Sequence, residues 1–263
     1  MNFTIMSLIK NKNVLITAGA SGIGWATAKI LSQRGARVFI CDVDKNKVNK
    51  INKDKKNNIK AYLCDVDDKN EVKIFFDQIK KITKTIDCLI NNVGIAGPTG
   101  SIENLNSENW NQTLKTNVIS HFVFTKNSIP MLKKNKGGSI INISSTAGVF
   151  GFPLRSPYAV SKAATISFTK TAAMELGKFN IRVNAILPGV TKGLRMKKVI
   201  EAKAKYLGIS KKKVEKDFIS MASMNCWIEE SDIGKLCSFL ISDDGRKISG
   251  QSIAVDGNTL RAD

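Results

Sequence analysis

From residue 13 onward the chain alternates short apolar runs with longer helix-like segments, and that rhythm leaves few folds open to it. The apolar runs are Val14–Thr17, Val38–Cys41, Ile59–Cys64, Cys88–Asn91, Ser139–Ile143, Arg182–Leu187 and Ser252–Val255. Most are continuous rather than alternating in and out, the pattern of parallel strands covered on both faces. Helical segments such as Ile23–Arg34, Lys69–Ile82 and Ser107–Leu132 separate them. The β-α-β-α order predicts an α/β fold, a doubly wound parallel sheet with helices on both faces. Right-handed crossovers gather the loops that follow the strands along one edge, where ligands of such sheets bind. A length of 263 residues suits a single domain spanning 1–263. One stretch breaks the rhythm. After Pro188-Gly189 the next regular helix begins near Glu230, and Leu194–Asn225 between them has helical composition without a strand. It reads as a helical lid over a site, at about 192–225. The alternative is a helix pair used for packing or subunit contact.

Composition narrows the classes. No run approaches the roughly 20 apolar residues of a membrane span. Met1–Lys10 lacks the charged start, apolar run and cleavage site of a secretory signal. The five cysteines, Cys41, Cys64, Cys88, Cys226 and Cys237, show no C-x-x-C spacing. They read as reduced, small hydrophobes in a cytoplasmic protein, not as disulfides or a metal site. The single histidine, His121, lies among Phe122, Val123 and Phe124 and reads as a packing or interface residue. A net charge of +19 attracts polyanions in general. The lysines are dispersed, however, without the aromatic interleaving of a nucleic-acid stripe, so no specific nucleic-acid partner is expected. The run Lys53-Asp54-Lys55-Lys56 reads as a solvated connection.

The chemistry begins where the first strand enters Thr17-Ala18-Gly19-Ala20-Ser21-Gly22-Ile23-Gly24 and a helix follows. Glycines there permit a tight turn and close approach to a pyrophosphate, which the helix N-terminus attracts. Asp42 ends the second strand, eighteen residues after Gly24. Its carboxylate can accept from both adenosine ribose hydroxyls and would repel a 2′-phosphate. Val43 follows, and the glycine loop holds no Arg or Lys. These features predict NAD(H) over NADP(H). Further on, Tyr158 and Lys162 stand four apart at the start of a helix-like run, hence on one face. A nearby ammonium brings a phenol toward general acid/base work at neutral pH. Ser145, at the end of the strand before them, can hold a substrate oxygen beside the tyrosine. The side chain of its neighbour Ser144 should point the other way.

Taken together, these motifs resemble the classical short-chain dehydrogenase/reductase (SDR) family over nearly the whole chain. Thr17–Gly24 is similar to the family's glycine loop and Asp65-Val66 to its adenine-contacting acid. Asn91-Asn92-Val93-Gly94 resembles N-N-A-G, and Asn117 the helix-kinking asparagine. Ser145, Tyr158 and Lys162 match the catalytic three. Pro188-Gly189 resembles the turn beside the nicotinamide, and Val255-Asp256-Gly257 the last strand's V-D-G. The resemblance implies a Rossmann-type seven-stranded sheet of order 3-2-1-4-5-6-7 and a homotetramer. It implies that Tyr158 moves the proton and that Lys162 binds the nicotinamide ribose. It gives Ser145 the substrate oxygen, while the Asn117 carbonyl holds a water leading to Lys162. The cofactor contacts it carries over are Gly19, Ser21, Gly22, Ile23, Gly24, Asp42, Asp65, Val66, Asn92, Gly94, Tyr158, Lys162, Pro188, Gly189 and Thr191. Departures occur at Ala18, where the family's first glycine is usual, and at Val93, in place of alanine. Thr191 and Gly193 replace a branched apolar residue and a threonine.

Substrate evidence is sparser. Arg155 and Arg195 suit recognition of a carboxylate, sulfonate or phosphate, or else serve as solvated or interface cations. The reading is an NAD(H)-linked oxidoreductase for a small polar, anionic hydroxy or oxo compound. The alternative is an NADPH-dependent 3-oxoacyl-carrier-protein reductase, which would dock an acidic carrier on its basic surface. A cofactor-sensing scaffold on the same fold would be expected to have lost Tyr158 or Lys162.

Overall fold

The computed structural model describes residues 9–54 and 57–259. The Met1–Lys10 reading falls mostly, and Lys55-Lys56 wholly, outside the described residues. Seven strands, β1 (Asn13–Thr17), β2 (Arg37–Asp42), β3 (Ile59–Leu63), β4 (Cys88–Asn91), β5 (Gly138–Ile143), β6 (Ile181–Pro188) and β7 (Ser252–Val255), form one sheet. Its order is β3-β2-β1-β4-β5-β6-β7, and every pairing is parallel. The expected topology is therefore the observed one. Strand ends differ from the sequence reading by one residue at most.

The two faces of the sheet are coated by different helices. On β1, Val14 and Ile16 point to one face and Leu15 to the other, as the two-residue period requires. The first face is covered by α1 (Gly22–Gln33) and α9 (Glu230–Ile241) through Ala28, Leu31, Ile233, Cys237 and Leu240. The second is covered by α3 (Lys69–Ile82), α5 (Ser120–Lys134) and α6 (Ser156–Leu176). There Phe75, Phe76 and Phe124 meet edge-on or tilted with ring centres 5.4–5.8 Å apart, within the favourable range for aromatic pairs. The helix starts follow cap chemistry: Asp44 caps α2 (Lys45–Lys53), Asp68 caps α3 and Asn106 caps α4 (Ser107–Leu114).

One element departs from the reading, and the inserted stretch is helical as its composition suggests. The single segment Ser107–Leu132 is instead α4, a π turn at Lys115–Ile119 and α5. An extra residue in the helical ladder is a local feature that apolar periodicity does not reveal. The inserted stretch folds into α7 (Leu194–Leu207) and α8 (Lys211–Ser220). These carry a small apolar core of their own, Ile200, Ala204, Val214, Phe218 and Met221, packed on Phe152 and Trp227. All five cysteines are free thiols. Among the described residues no helix is long and apolar enough to cross a membrane, and no cluster of His, Cys, Asp and Glu could hold a metal ion.

Candidate active site

The C-terminal ends of β1, β4, β5 and β6 meet at one edge of the sheet. The loop after β1 is shaped by contacts that leave no room for side chains. A Cβ on Gly24 would lie 2.5 Å from the Ala18 carbonyl oxygen and from Asn92 Nδ2, and one on Gly19 2.6 Å from Ile40 Cβ. Ala18 adopts φ +49°. The family's first glycine thus has its conformational role here filled by an alanine, at a cost of about 1 kcal/mol. Asn92 braces the loop. Its side-chain amide donates to the Thr17 and Ala18 carbonyls, both at 3.0 Å, while Thr17 Oγ1 accepts from the Asn92 and Val93 N–H groups. Ser21 stands exposed before the α1 N-terminus with its hydroxyl uncommitted to a cap.

Asp42 closes β2 beneath this loop and is 8% exposed. Its Oδ2 accepts from the Ala20 N–H at 3.0 Å and its Oδ1 from the Asp44 N–H at 3.1 Å. The carboxylate is thereby aimed along the loop with lone pairs to spare. Lys47 is engaged by Asp44 at 2.9 Å. Exposed Asp65 accepts from the Asp67 N–H, and Val66 beside it is buried.

At the end of β4, a Cβ on Gly94 would lie 3.3 Å from Asn117 Oδ1 and 3.4 Å from Lys162 Nζ. Asn117, buried inside the π turn, accepts from the Ile95 N–H at 2.7 Å. It donates to the Ile95 carbonyl at 3.0 Å and to Ser161 Oγ at 2.9 Å. Ser161 in turn donates to the Tyr158 carbonyl at 2.7 Å. Asn117 therefore ties the loop after β4 to the first turn of α6, which carries Tyr158 and Lys162.

Tyr158 is half-buried. Lys162 Nζ lies 5.7 Å from its ring centre and donates to the Ile143 carbonyl at 2.8 Å. Lys162 is 2% exposed. Burial, and then the charge of Arg195, push its pKa down to about 7. Ser145 Oγ accepts from the Ala147 N–H, which leaves its proton free to be donated. Ser144 turns away and donates to the Lys162 carbonyl at 2.8 Å, as its strand position predicts. β6 ends at Pro188, and Gly189 passes so close to β7 that a Cβ would lie 2.7 Å from Asp256 Cα. Thr191 Oγ1 donates to the Gly189 carbonyl.

This arrangement has the parts for proton transfer at a substrate oxygen beside a dinucleotide, and comparison with known proteins agrees. A sequence model described as enoyl-(acyl carrier protein) reductase matches residues 17–258. A 3-oxoacyl-[acyl-carrier-protein] reductase of Thermotoga maritima is 31% identical, over 96% of this chain and 99% of its own. Human dehydrogenase/reductase SDR family member 4 is 32% identical, over 95% and 88%. A crystal structure of NAD+-bound xylitol dehydrogenase superposes with TM-score 0.90 at 29% identity, covering 95% of this chain and 99% of that one. The chain belongs to the short-chain dehydrogenase/reductase family.

For this SDR protein the two arginines of the sequence reading prove unlike each other. Arg155 is 5% exposed. Its guanidinium lies 5.2 Å from the Tyr158 ring centre and 5.8 Å from that of Phe152, and donates to the Ala96 carbonyl at 2.7 Å. Its Nε is buried without a partner among the described residues. Arg195 is exposed on α7, yet its charge reaches Lys162. His121 is buried, with Nε2 3.0 Å from the Val93 carbonyl oxygen. Burial and the Lys162 charge push its pKa down to about 3, so it is neutral and donates from Nε2. Sequence reasoning missed a buried ladder in this SDR site. Asn91 donates to Thr125 and Asn142, and Asn142 to Thr169, locking β4, β5, α5 and α6 together. Buried Asn in two neighbouring strands was its only signal.

Proposed function

We propose that this protein is an NAD(H)-dependent alcohol dehydrogenase or ketone reductase acting on a small polar, anionic substrate. The observation that carries the reading is Lys162 Nζ 5.7 Å from the Tyr158 ring centre, on a helix that Asn117 ties to the loop after β4. The glycine loop fits a dinucleotide because Gly19 and Gly24 let it pack tightly on β2 and Asn92, Gly22 takes a left-handed turn, and the α1 N-terminus offers N–H groups to phosphates. Ser21, Ile23, Asn92 and Gly94 complete the bed, with Pro188, Gly189 and Thr191 on its far side. Asp65 and Val66 would hold the adenine. The dinucleotide, once bound, supplies or accepts the hydride.

This chain's residues handle the proton. Tyr158 gives a proton to the carbonyl oxygen in reduction and takes one from the hydroxyl in oxidation. Ser145 donates to the same oxygen and fixes its place. Lys162 would hold the ribose and, when protonated, favours the ionised phenol. Asn117 keeps the π turn and α6 in register. Asp42 supports NAD(H), since its carboxylate, held against the glycine loop by the Ala20 N–H, would repel a 2′-phosphate, and Lys47 pairs with Asp44. Arg195, exposed on the lid, suits an anionic group of the substrate. Arg155 would act from beneath the tyrosine.

The test is a screen of small hydroxy acids, oxo acids and neutral alcohols with each dinucleotide. A lower KM for NADP(H) than for NAD(H) would overturn the cofactor assignment. The second reading, an NADPH-dependent 3-oxoacyl-carrier-protein reductase, is favoured by the Thermotoga relative and the +19 charge. Turnover of a carrier-bound 3-oxoacyl thioester with NADPH, and none of the small acids with NAD, would establish it. We also expect a cytoplasmic single-domain homotetramer, since Ile119, Phe122, Val160 and Met174 leave an apolar face open on the π turn, α5 and α6. Light scattering measures the subunit number.

A further inference from the structure

The dinucleotide bed holds one charged group that neither its motifs nor its relatives' names assign. Glu230 is the first residue of α9. That helix packs against α1 so closely that a Cβ on Gly234 would lie 2.8 Å from Ile30 Cδ1 and 3.1 Å from Thr27 Cα. The close crossing brings the N-terminus of α9 to the N-terminus of α1. As a result Glu230 Oε1 lies 3.6 Å from where a Cβ on Gly22 would stand, and 2.8 Å from where a Cβ on Gly193 would stand. The carboxylate thus bridges the phosphate loop and the entrance to α7.

The Gly193 distance has a sequence counterpart. By its resemblance to the family, position 193 carries glycine where a threonine is common, and a Cβ there would displace the Glu230 carboxyl. A side chain absent from one loop is matched by a polar group arriving from another helix. The carboxyl is half-buried, and burial raises its pKa. The charged groups around it are Lys29 on α1 and Arg195 on α7, which favour its ionised form, and Glu229 beside it, which opposes it. Glu229 is itself 3.8 Å from Lys192, and Asp232 accepts from the Glu229 N–H. A carboxylate at the α1 N-terminus shares the favourable dipole with any phosphate placed there. Two anions in one seat repel each other.

We propose that Glu230 is a positioning residue of the dinucleotide site, whose negative charge opposes the cofactor phosphates and so sets how tightly the dinucleotide is held. The inference rests on the functional reading above, because it needs a dinucleotide at the glycine loop. A residue of this kind loosens binding and speeds exchange of oxidised for reduced cofactor without touching the reacting atoms.

The test is calorimetric binding of NAD+ and of ADP to the cofactor-free protein, wild type against Glu230→Gln, at low salt and across pH 5–8. Removing the charge should tighten both ligands at pH 8 by roughly 5-fold, the size of one partly screened like-charge contact. The wild type should approach the variant as pH falls and the carboxyl gains its proton. Lys162 titrates in both proteins, so the difference between them isolates Glu230. Equal affinities for wild type and Glu230→Gln at pH 8 would overturn the inference while leaving the function intact. An effect on NAD+ without one on ADP would overturn the assignment to the phosphates. A wild type that binds no dinucleotide would overturn the functional reading and the inference together.

Discussion

The glycine-loop half of the site and the α7–α8 half are held together by different physics. Around the loop, order comes from backbone groups at close range. Gly24 and Gly19 admit no side chain, Asn92 spends its amide on two loop carbonyls, and Asp42 receives two backbone N–H groups. Each tie is short, directional and buried, so the loop has essentially one shape. The lid rests on a handful of apolar side chains, with Phe218 6.3 Å from Phe152 ring to ring, and Tyr206 accepting from the Ser101 N–H at 3.4 Å. The ion pairs of Lys192 with Glu229 and Lys211 with Glu201 are exposed and contribute little. Apolar contact is non-directional and tolerates sliding. On the proposed reading, one half would fix a constant cofactor and the other would admit and release a variable substrate.

Four measurements bear on that contrast. The largest effect is expected at the junction of the halves. Tyr158→Phe removes the proton carrier but leaves the ring beside Lys162 and Arg155. kcat should fall by about 10²–10⁴-fold, with dinucleotide affinity unchanged. A variant that keeps full activity would remove Tyr158 from the chemistry.

Next comes Lys162. Its pKa is about 7 in the fold and about 10.4 in an unfolded chain. Between these values the unfolded chain binds more protons, so the native state gains stability as pH rises from 7 toward 10 and loses it below. The gain is at most about 5 kcal/mol. Chemical denaturation of wild type against Lys162→Met should show that slope in the wild type alone. Parallel pH profiles would mean the ammonium is solvated in solution.

Phe218→Ala tests the independence of the lid. It removes the centre of the small lid core, at a local cost of about 3–5 kcal/mol. Proteolysis within residues 194–225 should accelerate by on the order of 100-fold. Substrate KM should rise while NAD affinity stays within about twofold. A tenfold loss of NAD affinity would show that the two halves are one unit. The smallest effect belongs to Ala18→Gly, which relieves the left-handed alanine. It should stabilise the protein by about 0.5–1 kcal/mol, less the entropy glycine adds to the unfolded chain, and raise the melting temperature by a few degrees at most.

Much of this molecule was written locally. The strands are readable because parallel strands covered on both faces are mostly apolar. The glycine loop is readable because only glycines allow such approach, and Tyr158 and Lys162 because four residues make about one helical turn. The strand parity of Ser144 and Ser145 separated the two serines without coordinates. Other features arise only when distant segments meet. The π turn around Asn117 is a one-residue slip that leaves no mark on apolar periodicity. The Asn91–Asn142–Thr169 ladder needs β4, β5 and α6 side by side. Arg155 and Arg195 look alike as letters, yet one lies under the tyrosine ring and the other stands in solvent, because burial depends on what the chain brings over a residue. Glu230 is the extreme case. An ordinary first-turn acid on α9 enters the dinucleotide bed only because Gly234 lets two helices touch, and contacts between segments some two hundred residues apart carry no local signature.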